Sequence, residues 1–155
     1  MKKILLMTIV LTAFTAIAGP ANPVIPAAVI SEFREQFGAE VSVRWEKIDE
    51  TGSKSNLYVG RFIHNGIWSE AFFDGSGEFV GMGKNITSAQ LPAKFFDWQQ
   101  GKFKGYDIIE VYEYYLKNAK TPVYGLTIRN RQKMIFLKID ESGLVSVVKK
   151  EKFRN

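Results

Sequence analysis

Shifted by 66 residues, the chain overlays itself without a gap. Ile25-Pro26-Ala27 falls on Leu91-Pro92-Ala93, Phe37 on Phe103, Val43 on Ile109 and Tyr58 on Tyr124. Phe73-Asp74-Gly75-Ser76-Gly77 falls on Ile139-Asp140-Glu141-Ser142-Gly143. Nine of the 66 pairs are identical, against about four from ordinary residue usage. Identity alone therefore decides little. The kind of residue matched decides more: a proline start, a turn and the apolar steps between, all at one offset. The expectation is a single domain, 19–155, made of two repeats at about 24–89 and 90–155. A lone unit of about 66 residues buries too little surface to be comfortable alone.

Each unit reads as one helix and then a run of strands. Pro26 suits a helix start, where its missing N–H has no intrahelical partner. Val29, Phe33 and Phe37 follow at four-residue steps as one apolar stripe, with Gly38 as the stop. In the second unit Leu91-Pro92 opens the helix, Phe95 and Phe96 point inward and Gly101 ends it. Val41, Val43 and Trp45 alternate with Ser42, Arg44 and Glu46 on a first strand. Residues 49–56 form a polar loop. Strands then run over 57–63 and 67–73, joined by the hairpin signature His64-Asn65-Gly66. A short strand follows at 78–82. The second unit repeats them at 108–114, 123–129, 134–139 and 144–148. The expected class is α+β, with antiparallel strands, helices on one face and the other face open.

The start of the chain carries a different signal. Met1-Lys2-Lys3 is basic, Ile4 to Ile17 has no charge, and Ala16-Ile17-Ala18 is an A-x-A cleavage site. This is a secretory signal, 1–18, with a mature start at Gly19. Fourteen residues fall short of the roughly 20 that span a bilayer. The expected location is periplasmic or secreted, with no stable membrane insertion after cleavage. Of 21 basic and 16 acidic residues, cleavage removes Lys2 and Lys3, leaving 19 against 16, or +3. That is a solubility charge and does not call for nucleic acid. Four of the positives lie in Lys149-Lys150-Glu151-Lys152-Phe153-Arg154, read as a solvated, frayed tail.

The motifs Ile25-Pro26-Ala27-Ala28-Val29, Val43-Arg44-Trp45-Glu46, Tyr58-x-x-x-Phe62, Phe73-Asp74-x-x-Gly77 and Leu91-Pro92-Ala93 resemble the beta-lactamase-inhibitor-like, PepSY-like family of exported bacterial proteins. The resemblance runs from Val24 to about Val148. It implies tandem helix-plus-sheet modules and, through the family name, protein binding or peptidase inhibition. None of its motifs is catalytic. The second unit departs from the pattern: Val111 stands where a tryptophan is expected, and Lys138 breaks the alternation before Ile139.

Candidate chemistry is sparse. The chain has no cysteine and one histidine, which excludes disulfides, thiolate zinc and a histidine pair. His64 in a turn has no G-x-S-x-G elbow to serve. Asp74-Gly75-Ser76-Gly77-Glu78 lacks calcium-loop spacing, and Gly81-Met82-Gly83-Lys84 lacks phosphate-loop spacing. Asn85-Ile86-Thr87 is a sequon with little meaning in a bacterial protein. Asp107, Glu110 and Glu113 form an acidic run, but Glu110 and Glu113 have opposite strand parity and point to opposite faces. The expectation is a non-enzyme without cofactor or metal.

The aromatic residues say more. If Trp45, Tyr58, Phe62 and Phe73 face the helices, alternation puts Arg61, Trp68, Phe72, Tyr112, Tyr114, Met134 and Phe136 on the opposite face. Trp, Tyr, Phe, Met and Arg together have the composition of a protein-binding patch. The rival is a curled or covered sheet in which these residues are core. The leading function is an exported, non-enzymatic binding module that engages an envelope protein or peptide through an open sheet face, with an inhibitory role as an extension. The alternative is a carrier of a small apolar ligand between helices and sheet.

Overall fold

A computed structural model describes residues 23–49, 56–140 and 142–153. The expected signal segment and most of the 49–56 loop lie outside the described residues. Among the described residues the fold is α+β, with eight strands in antiparallel pairs and two short helices. The described residues form two compact units, which fall within 1–84 with 116–118, and within 85–115 with 119–155.

The first unit begins with helix α1, Ala27–Phe37. Pro26 precedes it, and its carbonyl accepts the first helical bond from the Ile30 N–H at 3.2 Å. Gly38, at φ 103°, ends the helix where its stop was expected. Four strands follow: β1 (Val43–Asp49), β2 (Asn56–His64), β3 (Ile67–Asp74) and β4 (Phe79–Asn85). The β2–β3 hairpin turns at Asn65 and Gly66, both at positive φ, as the Asn-Gly signature predicts.

The core of this unit is aromatic. Val29, Phe33, Tyr58, Phe62, Ala71 and Phe73 are buried together, with Phe37, Val43, Trp45 and Phe79 packed against them. Phe33 sits at the centre, with ring contacts to Phe37, Trp45, Phe62 and Phe73 at 4.9–6.3 Å. These contacts are edge-on or tilted, the geometry that ring quadrupoles favour.

The second unit opens with the single 3₁₀ turn Ser88–Gln90, capped by Thr87 and Gln90 in a capping box. Helix α2 spans Ala93–Lys102. Gly101, expected to end it, lies inside it; the Phe103 N–H still bonds the Gln99 carbonyl at 3.0 Å. Burying the Phe103 ring holds that last turn. Strands β5 (Asp107–Leu116), β6 (Val123–Arg129), β7 (Lys133–Ile139) and β8 (Val145–Lys152) complete the chain. Leu91, Phe95, Phe103, Val111, Leu126, Ile128, Ile135, Leu137 and Ile139 form its core. Val111 therefore packs where a tryptophan was expected. Lys138 does not break the alternation; its parity places it on the face opposite Ile139.

The tail expected to fray is a strand. β8 continues to Lys152, past the expected end at Val148, paired with β7 from Val145↔Ile139 to Lys152↔Lys133. Lys149 Nζ reaches Glu151 Oε1 at 2.6 Å, so one of the tail's positive charges is paired within the strand.

The two turns after β3 and β7 are built alike. Asp74 Oδ1 accepts from the Ser76 N–H, the Ser76 hydroxyl and the Glu78 N–H. Asp140 Oδ1 accepts from the Ser142 N–H, the Ser142 hydroxyl and the Leu144 N–H. Burial alone would push Asp74 up, but the bonds from Ser76, Glu78 and Gly77 outweigh it and hold its carboxyl below its ordinary value. The Ser142 hydroxyl leads in holding Asp140 down.

Candidate functional site

Strand parity places every expected patch residue on the face opposite its own unit's helix. In β2 and β3, Tyr58, Phe62, Ala71 and Phe73 belong to the helix-side core. Leu57, Val59, Arg61 and Ile63, with Trp68, Glu70 and Phe72, therefore share the other face. In the second unit Val111, Ile135 and Leu137 are helix-side, so Tyr112, Tyr114, Met134 and Phe136 are not.

The expectation of an open face needs correction. Phe72 is 1% exposed, Tyr114 0%, Phe136 4% and Tyr112 8%. Arg61 and Met134 are half-buried, and Trp68, at 57%, is exposed. Strand centres are buried on both sides: five consecutive residues of β3, Ser69 to Phe73, are closed to solvent. Part of the reason lies in the neighbours. Phe72 stands beside Val59 across the ladder. The rings of Tyr112 and Tyr114 stack at 5.8 Å. Lys149 Nζ lies 5.9 Å from the Phe136 ring. In each unit, a face this rich in buried aromatic side chains does not behave as the solvated side of an antiparallel sheet.

What remains open in the first unit is its hairpin end. Ile63 pairs with Trp68 across β2 and β3, and each is 57% exposed. Ile67, next in the chain, is 43% exposed. Next to this pair lies a charge network that alternation alone did not single out. Arg61 Nη1 donates to Glu46 Oε2 at 2.6 Å, and Arg61 Nε donates to Glu70 Oε1 at 2.8 Å. One guanidinium thus clamps carboxylates on the strands to either side. The register brings them together: Arg61 lies opposite Glu70 on β3 and is adjacent to β1 through Arg44. Same-parity glutamates flanking an arginine on three consecutive strands were the available signal, but reading it required the register.

Glu46 is the uneven member of the network. Its Oε1 is buried without a hydrogen-bond partner. Burial raises its carboxyl above the ordinary value, against the pull of Arg61, with the Glu70 charge adding to the rise. A buried acceptor without a donor costs roughly 1–3 kcal/mol.

The other chemistry weighed from sequence is placed plainly. His64 is half-buried, with ring contacts to Phe37 at 5.6 Å and Phe62 at 6.0 Å. Asp74 makes its strand-joining turn. The Tyr124 hydroxyl donates to Glu113 Oε1 at 3.4 Å, while Glu110 pairs with Thr127 across the ladder. Among the described residues no group of three acidic or histidine side chains is placed to hold a metal.

Solved structures share this architecture. The chain has the fold of a BLIP-like protein. That protein, from Bacteroides fragilis NCTC 9343, aligns with a TM-score of 0.54 at 15% identity over 92% of this chain and 93% of its own. A DUF2874 family protein from Bacteroides uniformis ATCC 8492 aligns at 0.62 and 17% identity, over 83% and 90%. A protein from Bacteroides eggerthii DSM 20697, described as periplasmic, aligns at 0.61 and 15%, over 84% and 90%. At such identities the likeness is one of fold, and fold alone does not carry function. No family model matches the chain, and no curated protein matches it. The likeness to PepSY proteins rests on the sequence motifs alone. No helix among the described residues is long and apolar enough to cross a membrane.

Proposed function

We propose that this chain is an exported, non-catalytic binding module that engages an envelope protein or peptide through the sheet face opposite α1. One observation carries the reading: Ile63 and Trp68, paired across β2 and β3, are both 57% exposed on the face that holds the Arg61 clamp. A large aromatic and an aliphatic side chain, open to solvent beside a rigidly held guanidinium, have the make-up of an interface anchor. The BLIP-like neighbour supports the same reading and gives it an inhibitory form by analogy of fold. The neighbour described as periplasmic supports export; cleavage after Ala18 is proposed from the sequence pattern alone. Phe72 belongs to this reading as part of the apolar body of the first unit's face, and Tyr112, Tyr114 and Phe136 as that of the second unit's own face; none is a solvent-open anchor.

Duplication at an offset of 66 is part of the proposal. Pro26 and Pro92 each precede a helix, and Asp74 and Asp140 bond matching atoms two and four residues on.

Affinity capture from periplasmic extract tests the function. Wild-type protein should retain a discrete partner that Trp68→Ala loses, while both proteins melt alike. Equal retention by the two would remove Trp68 from the interface and the reading with it.

A further inference from the structure

We infer that the β6–β7 end of the second unit is a binding site for a phosphate group carried on a hydroxyl-rich molecule, a site separate from the protein-binding reading above. A cavity of about 600 Å³ opens there, lined by Gly105, Asp107, Arg129, Asn130, Arg131 and Gln132. Small-molecule sites run from about 300 to 1,000 Å³. Among the described residues no apolar side chain lines this one, so an apolar ligand would find little to bury against.

The two arginines are presented on a fixed turn. Asn130 Oδ1 accepts from the Gln132 N–H at 2.9 Å and the Lys133 N–H at 3.0 Å. The Asn130 N–H donates to the Lys133 carbonyl at 3.1 Å. Arg129 ends β6 and Arg131 stands two residues on, in the turn. Among the described residues neither guanidinium has an ion-pair or hydrogen-bond partner.

An arginine fork matches two oxygens of one phosphate, and two such forks favour a multiply charged oxyanion over a single carboxylate. The one acidic lining residue narrows the ligand further. Asp107 lies opposite Arg129 across the ladder. Its carboxylate repels a bare anion but accepts hydrogen bonds from hydroxyl groups. A ligand with its phosphate toward Arg129 and Arg131, and its hydroxyls toward Asp107, satisfies both. A free sugar phosphate and the headgroup of a phosphoglycerol lipid share that chemistry.

Titration of ¹⁵N-labelled protein with glucose 6-phosphate, inorganic phosphate and glucose, at constant ionic strength, tests the site. Glucose 6-phosphate should give saturable shifts confined to residues 105–107 and 129–133. Its affinity should exceed that for glucose by about tenfold or more, and Arg129→Gln/Arg131→Gln should remove that gain. Asp107→Asn should strengthen inorganic phosphate and erase the preference for the sugar phosphate over it. Co-sedimentation with phosphatidylglycerol vesicles, lost in the double variant, identifies a lipid headgroup as the source; sugar-phosphate binding without sedimentation identifies a soluble one. If neither glucose 6-phosphate nor inorganic phosphate shifts these residues more than chloride does, or if the double variant binds as well as wild type, the site does not exist.

Discussion

Phe72 and Trp68 share a strand and a face, yet solvent separates them: 1% against 57% exposure. Phe72→Ala should cost roughly 3–5 kcal/mol of unfolding free energy, the range for an emptied aromatic core site. Trp68→Ala should stay within about 0.5 kcal/mol, as exposed substitutions do. Chemical denaturation of the two variants checks both values. The carboxyls separate in the same way, by sign. Asp74 and Asp140 are held below 3.8. Their contribution is complete above that value and is lost as pH falls through their lower native values. Glu46 is held above 4.5, so the native state takes up its proton first, and lowering the pH through that raised value towards 4.5 adds stability. The stability difference between wild type and Glu46→Gln should therefore shift in favour of wild type as pH falls from neutral to 4.5. The difference between wild type and Asp74→Asn should shrink only below 3.8. Denaturation midpoints across pH 3–7 report both trends.

The two matched turns sit in unequal surroundings, which separates elements that the sequence presents as twins. Gly77 has φ 92°, and a Cβ there would lie 2.9 Å from the Ala28 carbonyl carbon at the start of α1. Gly143 has φ 80°, but its nearest neighbour would be the flexible end of Lys94 at 4.0 Å. Gly143→Ala should cost only the left-handed backbone, about 1 kcal/mol. Gly77→Ala adds a clash with helix backbone and should cost roughly 1–3 kcal/mol more. Thermal unfolding of the pair reads the gap. Element type and order were legible because periodicity and turn chemistry are local: Asn65-Gly66 makes its hairpin, and 123–129 is a strand at the bounds expected. Ends set by tertiary contacts were not legible. Gly101 stays helical because Phe103 is buried just beyond it, and β8 outruns its apolar residues because β7 offers backbone partners as far as Lys133.

At the scale of the whole chain, parity gave the side of each residue and could not give its exposure. Alternation tells which of Trp68 and Phe73 faces α1. It does not tell that Phe72 is closed while Ile63 is open, since that depends on what lies across each position. The Arg61 clamp was half legible: the arginine was expected on this face, and its two glutamates emerged only with the register. Export is the remaining expectation that rests on the sequence, and it has a direct readout. The apolar run Ile4–Ile17 ends in Ala16-Ile17-Ala18, the small-residue pattern that signal peptidase cleaves. Helix α1 begins at Ala27, eight residues past the expected start at Gly19. Cutting after Ala18 therefore leaves α1 and the proline before it intact, and the released form should fold as described. Intact mass of the protein recovered from a periplasmic fraction should match a chain starting at Gly19, lacking Lys2 and Lys3 and so two positive charges lower. A recovered chain that still carries Met1 would show that the segment is retained, and the assignment to the envelope would lose its sequence basis.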